Sequence, residues 1–234
     1  MNRQDRISMA LKDALPIVIA YFPISVTFGV LAAASGFSSL YTILGSVWIY
    51  SGGAQFMLVG MVGYAAVPAA VITTILLVNL RHILYGATLG PHMKTWSEPL
   101  KWAAAFGLTD EVYAVVSSRL KSGERLMPAY YLTFAFAAYV SWIAGTIVGI
   151  GLGGLVPPEL SDILAFALPA MFIALLFGGE INLPTLASAT TGAVLAITAG
   201  LIGLGSAGIV LGGLGGATVG LVVKNYQNRK QRSI

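Results

Sequence analysis

The sequence predicts an all-α, polytopic transmembrane helix bundle, and three observations carry that prediction. Hydrophobic residues make up 57% of the 234 and charged residues only 9%, where a soluble domain has about 25% charged residues. Residues 14–80 run for 67 positions without a charge. Apolar runs then recur to the end of the chain at lengths near the ~20 residues that a helix needs to cross the hydrocarbon core.

Taken in order, these runs give eight spans, at about residues 14–35, 40–64, 67–90, 101–119, 128–152, 161–179, 185–203 and 206–223. Seven is the alternative count. Residues 181–223 carry no charge, so the turn between the last two spans rests on Gly203 and Gly205 alone. Residues 14–223 read as one transmembrane domain. Before it, Ile7, Ala10, Leu11 and Ala14 share a helical face, so residues 1–13 are expected as a cytoplasmic interfacial segment. After it, residues 224–234 form a basic tail. Arg3, Arg6 and Lys12 before an apolar run resemble a secretory leader, but the run is long enough to span and more spans follow, so cleavage is not expected.

Orientation follows from where the cations fall. With eight spans and the N-terminus inside, Arg3, Arg6, Lys12, Arg119, Lys121, Arg125, Lys224, Arg229, Lys230 and Arg232 lie on the cytoplasmic side, and only Lys94 and Lys101 lie outside. This is the positive-inside asymmetry, and it places both termini in the cytoplasm. The same distribution accounts for the net charge of +4, so nucleic acid is not an expected partner. With no cysteine, and with His82 and His92 lacking a metal-ligand spacing, neither a metal nor another cofactor is expected.

Two spans read as interrupted. Pro16, Pro23 and Gly29 fall in the first, and Ser51-Gly52-Gly53-Ala54-Gln55 falls near the middle of the second. Paired glycines weaken a helix there. Discontinuous helices of this kind place freed N–H groups at mid-membrane in many transporters.

Charge is so scarce that each intramembrane ion is informative. Arg81 sits in Asn79-Leu80-Arg81-His82 within the third span, and Thr109-Asp110-Glu111 sits within the fourth. Ionisable groups at this depth are costly and mark solute or ion paths by default. Arg81 lies ten residues before the loop at 91–100 and Asp110 ten after it, so at 1.5 Å per residue both sit about 15 Å from that loop and are expected to pair. Glu111 points about 100° away from Asp110 and needs another partner.

Several blocks occur together and in order: Leu15-Pro16 with Pro23 and Phe28-Gly29, Ser51-Gly52-Gly53-Ala54-Gln55-Phe56, Asn79-Leu80-Arg81-His82-Ile83-Leu84-Tyr85, Leu108-Thr109-Asp110-Glu111, and Leu168-Pro169-Ala170-Met171-Phe172 continuing to Leu176. From about residue 10 to 220 the chain resembles the AzlC/YgaZ-type large subunit of branched-chain amino acid exporters. One small departure is Gly53, where the usual pattern often has alanine. The resemblance implies export of valine, leucine and isoleucine, with methionine as a further candidate, across a prokaryotic cytoplasmic membrane. It also implies a small multi-span partner of the AzlD/YgaH type.

The residues suit such a solute on their own chemistry. An aliphatic amino acid is a zwitterion with an apolar side chain and needs a donor for its carboxylate, an acceptor for its ammonium and a greasy wall. Substrate binding is therefore assigned to Ser51, Gly52, Gly53, Gln55, Asn79 and Arg81. Coupling or proton binding is assigned to Asp110, Glu111 and His82. Phe56, Met57 and Phe106 are weaker candidates for the wall. A channel is the nearest rival, but it needs ring-like ligands around a pore where this chain offers one asymmetric cluster. A membrane-embedded enzyme would need a nucleophile or metal motif that the sequence lacks. Last, Gly208, Gly212, Gly216 and Gly220, and Ala137, Ser141, Gly145, Gly149 and Gly153, recur every four residues. Such stripes bring helix backbones close, within the chain or against another subunit.

Overall fold

The computed structural model describes residues 3–63, 67–153, 155, 166 and 181–232. Among them the secondary structure is helical: α1 (Arg3–Ala34), α2 (Ser39–Trp48), α3 (Gly52–Gly63), α4 (Pro68–Asn79), α5 (Arg81–Leu89), α6 (Glu98–Phe106), α7 (Asp110–Lys121), α8 (Pro128–Gly153), α9 (Leu183–Leu201) and α10 (Gly205–Arg232), with one 3₁₀ turn at Gly90–Met93. Among the described residues, four stretches are long and apolar enough to cross a membrane: Gln4–Ala34, Val71–Met93, Pro128–Gly153 and Leu183–Leu201. The expected span at 161–179, apart from Phe166, and the block from Leu168 to Leu176 lie outside the described residues.

Chain contacts divide the protein into two compact units, Met1–Ala66 with Asn79–Leu168, and Val67–Val78 with Pro169–Ile234. The first is built on the packing of α1 against α8. The small residues of α8 make this possible. A Cβ at Gly145 would fall on Ser25 and the Phe22 carbonyl, one at Gly149 on the Val26 carbonyl, and one at Gly153 on the Ala33 side chain. Ser141 Oγ donates to the Val18 carbonyl at 2.9 Å. Below this seam lie Tyr131, Phe134, Val112 and Val116, all fully buried, while Ile19, Trp48 and Phe136 stay exposed on the outer faces, as a lipid-facing surface does.

The interruption expected in the first span is not there: α1 continues through both Pro16 and Pro23. A proline removes one N–H and displaces a carbonyl a turn earlier, a defect that neighbouring helices and hydroxyls re-satisfy within a bundle. Around the second proline the helix is tied by hydroxyls: Ser141 donates to the Val18 carbonyl, Ser25 to the Phe22 carbonyl, and Thr27 to the Pro23 carbonyl, none of them a carbonyl that a proline frees. The second span does divide, into α2 and α3 on either side of residues 49–51. The fourth divides as well, into α6 and α7 at Gly107-Leu108-Thr109. At ten, twelve, nine and twelve residues, these helices are each too short to span alone.

In the second unit the glycine stripe of α10 lies against α9. A Cβ at Gly212 would come within 2.6 Å of the Gly192 carbonyl oxygen, and one at Gly216 within 2.5 Å of the Ser188 carbonyl oxygen. Both glycine-rich stripes therefore pack within the chain.

Candidate functional site

The breaks in the second and fourth spans create helix N-termini in the first unit, and the polar residues gather there. Thr109 has extended backbone and its hydroxyl accepts from the Val112 N–H, so it caps α7 and leaves Asp110 and Glu111 in the first turn. Two acids in that position face the positive end of the helix dipole, which favours negative charge. The pair of acids is thus explained locally by the cap, and Gly107 explains the break. A Cβ at Gly107 would approach the Ala135 side chain to 2.9 Å.

The acids then go to different partners. Arg81 Nη1 lies 2.8 Å from Asp110 Oδ2, and Tyr85 donates its hydroxyl to Asp110 Oδ1 at 2.6 Å. The ion pair expected from equal depth is therefore formed, closed by a tyrosine one helical turn along α5. Tyr85 also stacks on Tyr113 of α7 with ring centroids 4.2 Å apart. Glu111, only 8% exposed, turns instead to α1 and hydrogen bonds the Tyr21 hydroxyl, which lies 2.9 Å from Thr109 Oγ1. Among the described residues Glu111 makes no ion pair.

At the second break, α3 opens with Gly52 and Gly53. The Gln55 N–H bonds back to the Ser51 carbonyl at 3.0 Å, so the N–H groups of residues 52–54 head the helix without an intrahelical acceptor. Gly52 is required by its neighbour: a Cβ there would sit 2.6 Å from the Trp142 ring. Trp142 Nε1 in turn donates to Gln55 Oε1 at 2.8 Å, and Gln55 Nε2 donates to the Gly45 carbonyl at 3.0 Å. Gln55, 1% exposed, thus braces α2, α3 and α8 with both ends of its amide engaged. Ser51 donates to Asn79 Oδ1 at 3.0 Å, and His82 Nδ1 lies 3.1 Å from the Asn79 carbonyl oxygen.

The nine sequence-assigned residues therefore fall into linked groups. Ser51, Asn79 and His82 form one, Arg81 and Asp110 a second, Gly52 and Gln55 a third around Trp142, and Glu111 a fourth. Gly53 is buried beside Gly52 in the first turn of α3. Trp142 joins the last two groups, because its ring also meets Tyr21 edge-on with centroids 5.3 Å apart. Sequence reasoning missed Tyr21, Tyr50, Tyr85, Thr109 and Trp142. For Thr109 a signal existed, since a threonine before two acids and after a glycine is a helix-start signature. For the aromatic residues there was none.

A separate ionic cluster lies at the C-terminal end of α7. Arg119 Nη2 and Nε reach Asp13 Oδ2 at 2.7 and 2.9 Å, and Tyr130 donates to the same oxygen at 2.7 Å. Arg119 also pairs with Glu124 and lies over the Tyr130 ring, 4.7 Å from its centroid. No group of three or more histidine, cysteine or acidic residues suited to a metal occurs among the described residues.

Comparison with known proteins agrees with the family read from the motifs. Residues 16–156 match the family model described as AzlC protein. The chain is 35% identical over 197 residues to the inner membrane protein YgaZ of Escherichia coli K12, covering 82% of this chain and 77% of that one. It is 34% identical over 210 residues to an uncharacterized membrane protein of Archaeoglobus fulgidus, covering 87% and 89%. It is 26% identical over 184 residues to the branched-chain amino acid transport protein AzlC of Bacillus subtilis 168, covering 75% and 70%. No solved structure matches. The chain belongs to the AzlC family, and it is a membrane protein.

Proposed function

We propose that this chain is the large subunit of a secondary transporter that exports branched-chain amino acids, valine, leucine and isoleucine with methionine as a further candidate, in exchange for protons or another ion. The observation that carries the reading is the buried carboxylate of Glu111 at the head of α7. An acid without an ion pair among the described residues is expensive inside an apolar bundle, and a transporter of zwitterions has a use for it. The name of the Bacillus subtilis relative supports the substrate class. The small partner is of the AzlD/YgaH type, and the site is the cytoplasmic (inner) membrane with both termini inside, following the cation asymmetry.

Within this reading the open N–H groups of Gly52 and Gly53, with Ser51 beside them, receive the substrate carboxylate at the positive end of α3. Arg81 and Asp110 hold α5 to α7 across the site, Asn79 and Gln55 fix its walls, and His82 and Glu111 are the groups through which the coupling ion acts, Glu111 exchanging that ion for the substrate in the cycle. The purified chain with its small partner in proteoliposomes should show saturable leucine flux with counterflow, driven by an imposed pH or ion gradient. Non-saturable conductance would make it a channel, and absence of any flux of leucine, isoleucine or valine would remove the substrate class. The orientation has its own check, since the chain has no cysteine: a single cysteine at Ser122 should label from the cytoplasmic side only, and one at Ser38 or Ser97 from outside only.

A further inference from the structure

Tyr50, at the break between α2 and α3, is 6% exposed, and its hydroxyl is buried with no hydrogen-bond partner among the described residues. Its ring is fixed on two sides, edge-on to Tyr139 with centroids 4.9 Å apart and stacked with Phe106 at 6.2 Å. Phenylalanine would fill the same space. A buried hydroxyl without a partner is a net cost, so the oxygen at this position calls for an occupant that bonds to it.

The surroundings say what kind of occupant. Tyr50 lies within electrostatic reach of Glu111, and so does Tyr21, which is also within reach of Tyr50. Tyr21 bonds Glu111 and lies 2.9 Å from Thr109 Oγ1. Glu111, Tyr21 and Thr109, from α1 and the head of α7, thus form one hydrogen-bonded group, and the Tyr21, Tyr50 and Trp142 rings belong to one buried cluster beside it. Every one of these oxygens can accept a hydrogen bond, and aromatic faces attract cations. The neighbouring acid does not compete for this role, because Asp110 already holds Arg81 and Tyr85.

We propose that Glu111, Tyr50, Tyr21 and Thr109 form the binding site for a desolvated primary ammonium group, the α-ammonium of the exported amino acid. This rests on the transport reading above. A primary ammonium has three N–H donors. Glu111 takes one, the Tyr50 oxygen takes a second, and the hydroxyl oxygen of Thr109 or Tyr21 takes the third. The substrate thereby supplies both the counter-charge of Glu111 and the missing partner of Tyr50.

The test uses the full chain in nanodiscs, with 3-methylbutylamine, which is leucine without its carboxylate, and 4-methylpentanoate, which is leucine without its ammonium. The amine should raise the thermal midpoint of the wild-type chain. Tyr50→Phe should weaken its binding at least tenfold and Glu111→Gln should abolish it, while neither changes the response to 4-methylpentanoate. Without ligand, Tyr50→Phe should melt at or above the wild-type temperature, because it deletes only an oxygen that has no partner among the described residues. No shift with the amine, an unchanged amine affinity in Tyr50→Phe, or protection by sodium chloride but not by the amine would each overturn the site. Leucine efflux separates this outcome from failure of the transport reading. If the wild type exports leucine and Tyr50→Phe leaves its KM unchanged, the site fails and transport stands. If Tyr50-dependent amine binding occurs without leucine efflux, the site stands and the substrate reading fails.

Discussion

Two acids of the first unit, Asp13 and Glu111, are finished to different degrees. Asp13 accepts three hydrogen bonds on one oxygen and sits against a guanidinium that also has Glu124 and the face of Tyr130. Glu111 is more deeply buried and has a tyrosine for a neighbour but no ion pair among the described residues, and it lies within electrostatic reach of Tyr50, whose hydroxyl has no partner among them. A group that only stabilises is free to acquire every partner it needs, as Asp13 has. A group that exchanges its partner with each cycle must leave a place open. Arg81 and Asp110 stand between these cases, paired like the first cluster and placed beside the second.

The largest effect should come from breaking that intermediate pair. Arg81→Ala leaves Asp110 at 17% exposure with Tyr85 but without its cation, and stranding a buried ion costs about 3 kcal/mol. Folded yield and export should both fall sharply. Arg81→Lys should restore yield better than export, since lysine keeps the charge and loses the planar fork. The double variant Arg81→Met with Asp110→Leu removes both charges, and folded yield measured by size exclusion should recover. If export recovers with it, the pair is a clamp that can be replaced by packing. If yield returns without export, Arg81 or Asp110 acts on the substrate or the coupling ion.

Next in size is Glu111→Gln, which keeps an acceptor for the Tyr21 hydroxyl and should leave folded yield near wild type while export falls more than tenfold. Any residual flux should lose its dependence on the pH gradient, which proteoliposomes with a set internal pH will read. The matched change at the other acid, Asp13→Asn, should behave in the opposite way. It weakens a partly exposed ion pair worth about 1 kcal/mol, lowers the thermal midpoint by a few degrees, and leaves the export rate within about twofold. Loss of export in Asp13→Asn with unchanged stability would end the distinction between the two clusters.

How far this contrast was legible in the sequence depends on the residue type. Arg81, Asp110 and Glu111 stand out because an apolar chain carries few charges, and equal spacing from one loop was enough to pair the first two. The interruption was legible because paired glycines weaken a helix, although the break falls at residues 49–51 and Gly52 and Gly53 open the helix that follows it. The continuity of α1 was not, since a helix packed in a bundle tolerates prolines that would break it alone, and its packing against the distant α8 is set only by the fold. The division of the fourth span was written in Gly107 and Thr109, but an apolar run of spanning length hid it. The tyrosines were illegible for a plainer reason: in an apolar bundle an aromatic ring usually packs, and whether its hydroxyl is bonded depends on side chains that only the fold brings near. Tyr21 and Glu111 are 90 residues apart in the chain. The seven-or-eight span alternative stays tied to topology labelling, because α9 and α10 are divided at Gly203, whose φ of 81° suits a glycine.

The smallest effect tests the comparison most finely. Tyr130→Phe removes one of three bonds to Asp13 Oδ2 and leaves the two from Arg119 in place. The ring stays, and with it the face on which the guanidinium lies. Asp13 therefore keeps its counter-charge, and the loss should be about 1 kcal/mol, the net worth of a single hydrogen bond. Tyr50→Phe also removes one tyrosine hydroxyl from the same unit, and by the same reasoning should cost nothing in stability, because that hydroxyl has no described bond to lose. Thermal midpoints of the two variants in one detergent should thus move in different directions or by clearly different amounts, with Tyr130→Phe the lower. Export should order them the other way. Equal losses of stability would mean that the Tyr50 oxygen is already satisfied in the folded protein, and the contrast between a completed cluster and an open one would no longer hold.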